Sequence, residues 1–82
     1  MMTINQAPLN KKLIVRSFHD SHERDFNEIE SRLMLLGFLD GQIIKVTKKA
    51  PLFKEPFLVE VRGRMIALSK DEAMLVEVEV VE

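Results

Sequence analysis

The spacing of apolar residues changes along the chain, and each change indicates a different type of element. Residues 12–18 contain a short apolar run that suits a buried strand. From residue 26 the apolar positions recur every three or four residues, which predicts an amphipathic helix over residues 22–36. Its apolar face consists of Phe26, Ile29, Leu33 and Leu36. Gly37 follows this face, where helices commonly end in a left-handed residue.

After the helix, the patterns are typical of strands. Short alternating or apolar stretches predict strands over residues 42–50, 57–62, 64–68 and 76–80. The pair Arg62-Gly63 favours a tight hairpin between two of them. Ser69 and Glu72 have the spacing of a helix capping box, which predicts a short helical turn near residues 70–74.

Five strands with one inserted helix predict a mainly β fold. An open sheet of five short strands would leave unprotected edges, whereas a small, strongly bent five-stranded barrel closes them. The helix then covers one end of the barrel with its apolar face. Residues 1–10 have no periodicity and contain a proline, so we expect a flexible N-terminal arm. Residues 11–82 are then a single domain.

Composition narrows the classes of function. The chain has 82 residues, enough for one domain with a small core. It has no cysteine, which excludes disulfide scaffolds, thiolate metal sites and cysteine nucleophiles. Its net charge of −1 indicates neither a nucleic-acid nor a membrane partner. No apolar run has the length of a membrane span, and the first residues lack a secretion signal, so we expect a cytoplasmic protein that does not insert into a membrane.

Four pieces of the sequence, in order, resemble the FeoA family. Residues 32–41, RLMLLGFLDG, match the family pattern R-L-x-x-L-G-h-x-x-G, in which h is apolar. Residues 50–52 match its A-P-L element, and residues 56–63 match its P-h-x-h-x-h-R-G strand and turn. Residues 66–78 match its ending, h-x-L…E-A…h-x-V. Residues 53–56 depart from the Gly-Asp-Pro that usually follows A-P-L.

The resemblance implies an SH3-like barrel that serves as a small accessory protein of ferrous-iron uptake. In that system the membrane transporter FeoB carries a cytosolic GTPase domain. The resemblance implies that this chain docks on that domain at the inner face of the membrane and regulates uptake. A related domain ends some metal-dependent repressors, so a free-standing metal-sensing module is an alternative.

No motif for catalysis is found in the sequence. It has no glycine-rich phosphate loop, no G-x-S-x-G and no acid–base pair that differs from surface charge. We therefore predict that the protein is not an enzyme and has no small-molecule substrate and no cofactor.

His19, His22 and Glu23 form a cluster that resembles a set of metal ligands. On a helix these side chains share one side and can bind a divalent metal through nitrogen and oxygen. A solvated loop, whose acidic residues favour the positive end of the following helix, is the preferred interpretation. We predict no resident metal and keep weak divalent-metal binding as the alternative.

Basic residues concentrate between Gly41 and Arg64, where six basic and two acidic side chains give a net charge of +4. Strict alternation places Lys45 and Lys49 on one side of a strand. A solvated face is the preferred interpretation, and steering toward an acidic protein surface is the second. A nucleic-acid-binding barrel is a further alternative, disfavoured because the chain has no Tyr or Trp to stack bases.

Four large apolar residues lie in two predicted loops. Phe38 and Leu39 follow the helix, and Leu52 and Phe53 lie between two prolines. Loops lie at surfaces, so these residues predict a patch that docks on a partner protein. The alternative for Phe38 and Leu52 is that they fill the ends of the barrel. Leu35, off the apolar face of the helix, is a further candidate contact. The sequence does not decide the oligomeric state.

Overall fold

The computed structural model describes residues 2–18, 26–49 and 56–81, and within them the chain is mainly β. The strands are β1 (Met2–Thr3), β2 (Leu13–Phe18), β3 (Ile43–Lys49), β4 (Phe57–Val61), β5 (Arg64–Leu68) and β6 (Val76–Val80). They form one antiparallel sheet in the order β1-β6-β2-β3-β4-β5. The other described elements are the helices α1 (Phe26–Leu35) and α2 (Lys70–Ala73) and a 3₁₀ turn at Ile4–Gln6. The predicted mainly β fold with an inserted helix and a later helical turn is confirmed, with six strands instead of five.

The core is built from alternate positions of the strands. Apolar side chains that are buried come from β2 to β6, from both helices, from the 3₁₀ turn and from the loop after α1. The largest of them are Phe38, Ile4, Leu13, Leu33, Ile44 and Leu68. Each large apolar side chain removed from water contributes about 1.5 to 3 kcal/mol. This cluster is therefore the main source of stability in the described part of the chain.

Two β-bulges interrupt the alternation in neighbouring strands. The register of β2 against β6 shifts at Arg16, and the register of β3 against β4 shifts at Thr47. A bulge adds one residue to a strand and bends it, so the side chains beyond it change faces. As a result Phe18 packs against the core, and Lys49 lies opposite Phe57, which also packs against the core.

Helix α1 ends at a glycine, as the sequence predicts. Gly37 has a φ of 111°, and its N–H donates to the carbonyl oxygen of Met34 at 3.1 Å. The N–H of Phe38 donates to the carbonyl oxygen of Leu33 at 3.0 Å. These two bonds form a Schellman motif, and the apolar contact that often accompanies it is supplied by the buried Leu33 and Phe38.

The apolar face of α1 covers part of the core. Leu33 is fully buried, and Ile29 and Leu36 pack against the core cluster. The side chain of Phe26 and the predicted start at residue 22 lie outside the described part of the chain. Neither described helix has the length and apolarity that crossing a membrane requires.

A two-residue turn joins β4 and β5. Val61 pairs with Arg64, and the residues between them, Arg62 and Gly63, have positive φ angles of 53° and 77°. Two consecutive residues with positive φ are typical of a type I′ turn, which matches the twist of the flanking strands. The predicted tight hairpin is confirmed.

Glu72 connects α2 to its own N-cap residue and to α1. The Oγ atom of Ser69 accepts the N–H of Glu72 at 3.1 Å, and Oε1 of Glu72 accepts the N–H of Ser69 at 2.9 Å. This is the predicted capping box. Oε2 of Glu72 accepts a hydrogen bond from Nη1 of Arg32 on α1. Since Glu72 is buried, these partners stabilise a charge that would otherwise be costly there.

The N-terminal segment is part of the fold, which corrects the flexible arm predicted over residues 1–10. Strand β1 pairs with β6, and Ile4 and Ala7 are fully buried. The N–H of Asn10 donates to the carbonyl oxygen of Val46 at 2.8 Å. Helix α2 contacts both β5 and the 3₁₀ turn, and that turn contacts β6. The turn and α2 therefore bridge the two ends of the strand order.

Replacing Gly37 with alanine should lower the free energy of unfolding by about 2 to 4 kcal/mol. The loss has two sources, because the residue has a φ of 111° and an added Cβ would lie 2.8 Å from Cγ1 of Val61. Gly41→Ala is the matched control, since Gly41 has a φ of 89° with nothing within 4 Å of the added atom. It should cost only the backbone part, about 1 to 2 kcal/mol. Urea unfolding measures both, and equal losses would mean that the contact with Val61 has no cost.

Candidate functional site

The residues predicted to bind a partner are dispersed in the structure. Phe38 is fully buried, which supports its alternative role in the core and corrects its prediction as a docking contact. Leu39 follows it and is half-buried. Leu52 and Phe53 lie outside the described residues.

The two lysines predicted on one face lie on opposite faces of the sheet. Lys45 pairs with Glu60 on the outer face, before the bulge at Thr47. Lys49 lies after the bulge and pairs with Phe57, which packs against the core. The prediction of a shared face was wrong because it assumed strict alternation through β3.

Lys49 anchors the N-terminal segment. Its Nζ donates to the carbonyl oxygen of Asn5 at 3.2 Å and also to that of Ala7. The N–H of Ala7 donates to the carbonyl oxygen of Ile4 at 3.1 Å. Residues 4–7 are therefore stabilised both by this internal hydrogen bond and by the bonds from Lys49. The charge of Lys49 therefore has a structural role, and the side chain is not available to steer a partner.

Lys45 lies beside an open groove on the outer face of the sheet. Lys12, Ile43, Glu60 and Arg62 also line this groove. The groove is basic overall, with three cationic side chains and one carboxylate. It has no buried polar group in its lining that would mark a site for chemistry.

The candidate metal ligands His19, His22 and Glu23 lie outside the described residues. Among residues 2–18, 26–49 and 56–81, no group of three or more His, Cys, Asp or Glu side chains is placed to hold a metal ion. The described part of the chain therefore offers no alternative ligand set to the predicted cluster.

The last turn of α1 presents apolar side chains to solvent. Leu35 is 89% exposed and Met34 is 43% exposed. Arg62 is adjacent, because its Cδ is 3.9 Å from the position that a Cβ on Gly37 would occupy. Leu39, half-buried, lies on the other side of that glycine in sequence. We call Met34, Leu35, Leu39 and Arg62 the α1 surface.

Part of the α1 surface was predictable from the sequence. Leu39 and Leu35 were predicted contacts, because one lies in a loop and the other lies off the apolar face of the helix. Met34 was missed although it lies off that face too, and its spacing was the signal. No local pattern in the sequence predicts that Arg62 lies beside the end of α1, because this position depends on the packing of Gly37 against Val61.

Comparison with known proteins places this architecture in a family. A model of the FeoA domain matches residues 2–80 of the chain. The chain belongs to the FeoA family. The family resemblance seen in the sequence is thereby confirmed. No curated protein matches the chain.

Solved structures of the family have the same fold. FeoA of Stenotrophomonas maltophilia, solved with zinc and described as an SH3 domain protein and a possible ferrous-iron transport activating factor, is 37% identical with a TM-score of 0.81. That match covers 96% of this chain and 91% of the other. Iron(II) transport protein A of Clostridium thermocellum is 30% identical with a TM-score of 0.80, over 98% of this chain but only 46% of its own. The SH3-like fold is thus confirmed.

The same fold is found within a larger regulator. The apo form of the manganese-activated repressor ScaR matches 98% of this chain and 35% of its own, with 22% identity and a TM-score of 0.80. At this level of identity the likeness shows the fold alone. A domain with this fold therefore occurs within a manganese-activated repressor.

Replacing Lys49 with methionine should lower the free energy of unfolding by about 1 to 3 kcal/mol. Methionine keeps the apolar stem but cannot donate to the carbonyl oxygens of Asn5 and Ala7. The loss should come with faster hydrogen exchange of the Ala7 amide, measured by NMR. Lys48→Met is the matched control, because Lys48 is exposed and lies on the other face of the strand. Equal exchange at Ala7 in the two variants would contradict the anchoring role.

Proposed function

We propose that this chain is a non-enzymatic, cytoplasmic accessory protein of ferrous-iron uptake that docks on the cytosolic GTPase domain of FeoB. The family supports the link to iron uptake. The observation that carries the docking is Leu35, a large apolar side chain that is 89% exposed on a helix whose opposite face packs in the core. An accessory protein with this surface acts by contact.

The α1 surface has the features of a small docking site. Leu35 and Met34 lie next to each other at the last turn of the helix, and burying such side chains contributes about 1.5 to 3 kcal/mol each. Arg62 lies near Gly37 at the end of this helix, with its Nε donating to Oε1 of Gln42 at 3.0 Å, and it adds a cation that does not depend on Lys49. Its partner should therefore present an apolar pocket with an acidic rim. A contact of this size belongs to the weak, transient class of interface.

Regulation requires that docking distinguish two states of the GTPase domain. A protein that binds both states with equal affinity does not shift the equilibrium between them, however tightly it binds. The apolar pocket or its acidic rim should therefore differ between the nucleotide states of the partner. The chain then stabilises one state by the difference in its affinity for the two.

The described residues favour a role in protein binding over a role in catalysis. The groove beside Lys45 is open and is lined mainly by surface side chains. A catalytic site needs groups held in a concave, water-excluding pocket. The fold places its buried volume in a continuous apolar cluster instead. The proposed role therefore needs no cofactor and no small-molecule substrate.

Leu35→Asp should weaken capture of the purified cytosolic domain of FeoB by at least about tenfold, because it places a charge at the centre of the apolar contact. Biolayer interferometry against the GDP-bound domain and the GTP-analogue-bound domain measures the affinity for each state. The thermal melt should fall only slightly, because Leu35 is 89% exposed and a carboxylate in the last turn of a helix is only mildly unfavourable.

Leu9→Asp is the matched control for this experiment. Leu9 is 43% exposed and lies in the N-terminal segment, away from α1 in the chain, so the change adds the same charge elsewhere. It should leave capture unchanged. Failure of the parent chain to bind either nucleotide state would contradict the proposed function. Binding that survives Leu35→Asp would contradict the α1 surface as its site.

A further inference from the structure

Among the described strands, none pairs with the outer edge of β5. β5 is the last strand in the order and pairs only with β4. Within the described residues, no backbone hydrogen bond from a loop or turn reaches it. An exposed strand edge carries free N–H and C=O groups that can pair with another strand.

The geometry of the β4–β5 turn determines which groups face outward. Val61 and Arg64 flank a two-residue turn, so they form a hydrogen-bonded pair, and the pairs of Val59 with Ile66 and of Phe57 with Leu68 are the next of that kind. The residues between them direct their backbone groups away from β4. These residues are Met65 and Ala67, and each leaves one N–H and one C=O at the free edge.

The two edges of the sheet differ in how they are protected. At one end, β1 has only two residues and is followed by a 3₁₀ turn. Short edge strands are a common way to prevent pairing. β5 has five residues, an unbroken register with β4, no proline and no charged residue after Arg64. Its edge is regular enough to pair.

We infer that β5 pairs with β5 of a second copy of this chain, antiparallel about a two-fold axis through Ile66. In this register Met65 of one copy faces Ala67 of the other, twice. Both residues have outward N–H and C=O groups, so the two contacts form four hydrogen bonds. The free edge is complementary to itself.

The side chains on the outer face fit the same register. Met65 is 52% exposed and Ala67 is exposed, so the pairing places a large apolar side chain over a small one in both contacts. Thr47 supports Met65 from the side, with its Oγ1 3.4 Å from Sδ. The axis passes through Ile66, whose own side chain points into the core and is 8% exposed. On the outer face, the contact therefore gains area without a clash of two large residues.

Charge does not oppose the pairing. Arg64 lies opposite Leu68 of the other copy, and the two Arg64 residues are separated by four residues along the strand, or about 13 Å. This is longer than the Debye length of about 8 Å at physiological salt. The net charge of the chain is only −1. Four hydrogen bonds with one small apolar contact on each side give a weak, reversible dimer.

Because the chain has no cysteine, the register can be tested by cross-linking. Met65→Cys and Ala67→Cys proteins are mixed in equal amounts at high concentration in a glutathione redox buffer. Directly opposed residues of a hydrogen-bonded pair have Cα atoms about 5.5 Å apart, within the range for a disulfide. Two copies of the same position are diagonal neighbours about 7 to 8 Å apart, beyond that range. Intact mass spectrometry distinguishes the three possible dimers.

Random collision would give twice as much of the mixed dimer as of each dimer of like copies. We expect the ratio of the mixed dimer to each like dimer to exceed this value by about fivefold or more. Met65→Cys mixed with Val81→Cys gives the baseline for random collision, because Val81 is exposed and lies just after β6. The thermal melts of all variants serve as the check of folding. A statistical mixture would overturn the pairing of copies. Slower hydrogen exchange at Met65 and Ala67 only after addition of the FeoB domain would likewise overturn it and assign the edge to that partner.

Discussion

Two neighbouring strands each contain one extra residue, and these bulges determine which side chains face the core at one end of the sheet. Beyond the bulge of β3 the core side holds Lys49, where strict alternation would place Lys48. An ammonium group at the rim of an apolar core needs acceptors, and the carbonyl oxygens of Asn5 and Ala7 supply them. The N-terminal segment is thereby held where Ile4 fills the core. The bulge, the lysine and the N-terminal segment are one structural unit, because each satisfies a requirement that another creates.

The residues that identify the family are mainly those that determine the fold. The arginine of the pattern R-L-x-x-L-G-h pairs with Glu72. The first leucine and the final apolar residue of the pattern fill the core. Its glycine, Gly37, packs against a strand and has a positive φ that disfavours other residues. The two unspecified positions are Met34 and Leu35, which are exposed. A pattern made of structural requirements can therefore predict the fold, while the residues proposed to contact a partner lie at the positions it leaves open.

The elements that are predictable from the sequence are those with local determinants. The end of α1 at Gly37, the turn at Arg62-Gly63 and the start of α2 at Ser69 each depend on residues within a few positions of one another, and all three were predicted. The bond from Lys49 to Asn5 joins residues 44 positions apart, and no periodicity reports such a pair. The sequence also contains no signal for the bulge at Thr47, because an extra residue in a strand is recognised only from the pairing of that strand with its neighbour. The flexible arm and the shared lysine face were wrong for this common reason.

The α1 surface and the free edge of β5 meet at the turn between β4 and β5. Gly37, at the end of α1, packs against Val61, and Val61 pairs with Arg64, the first residue of β5. A pair of chains joined through β5 would therefore carry two α1 surfaces related by the same two-fold axis. Two linked sites gain avidity only toward a partner that presents two sites at a matching distance. Weak pairing would then have little effect on a free chain and a large effect where several transporter domains lie close together on a membrane.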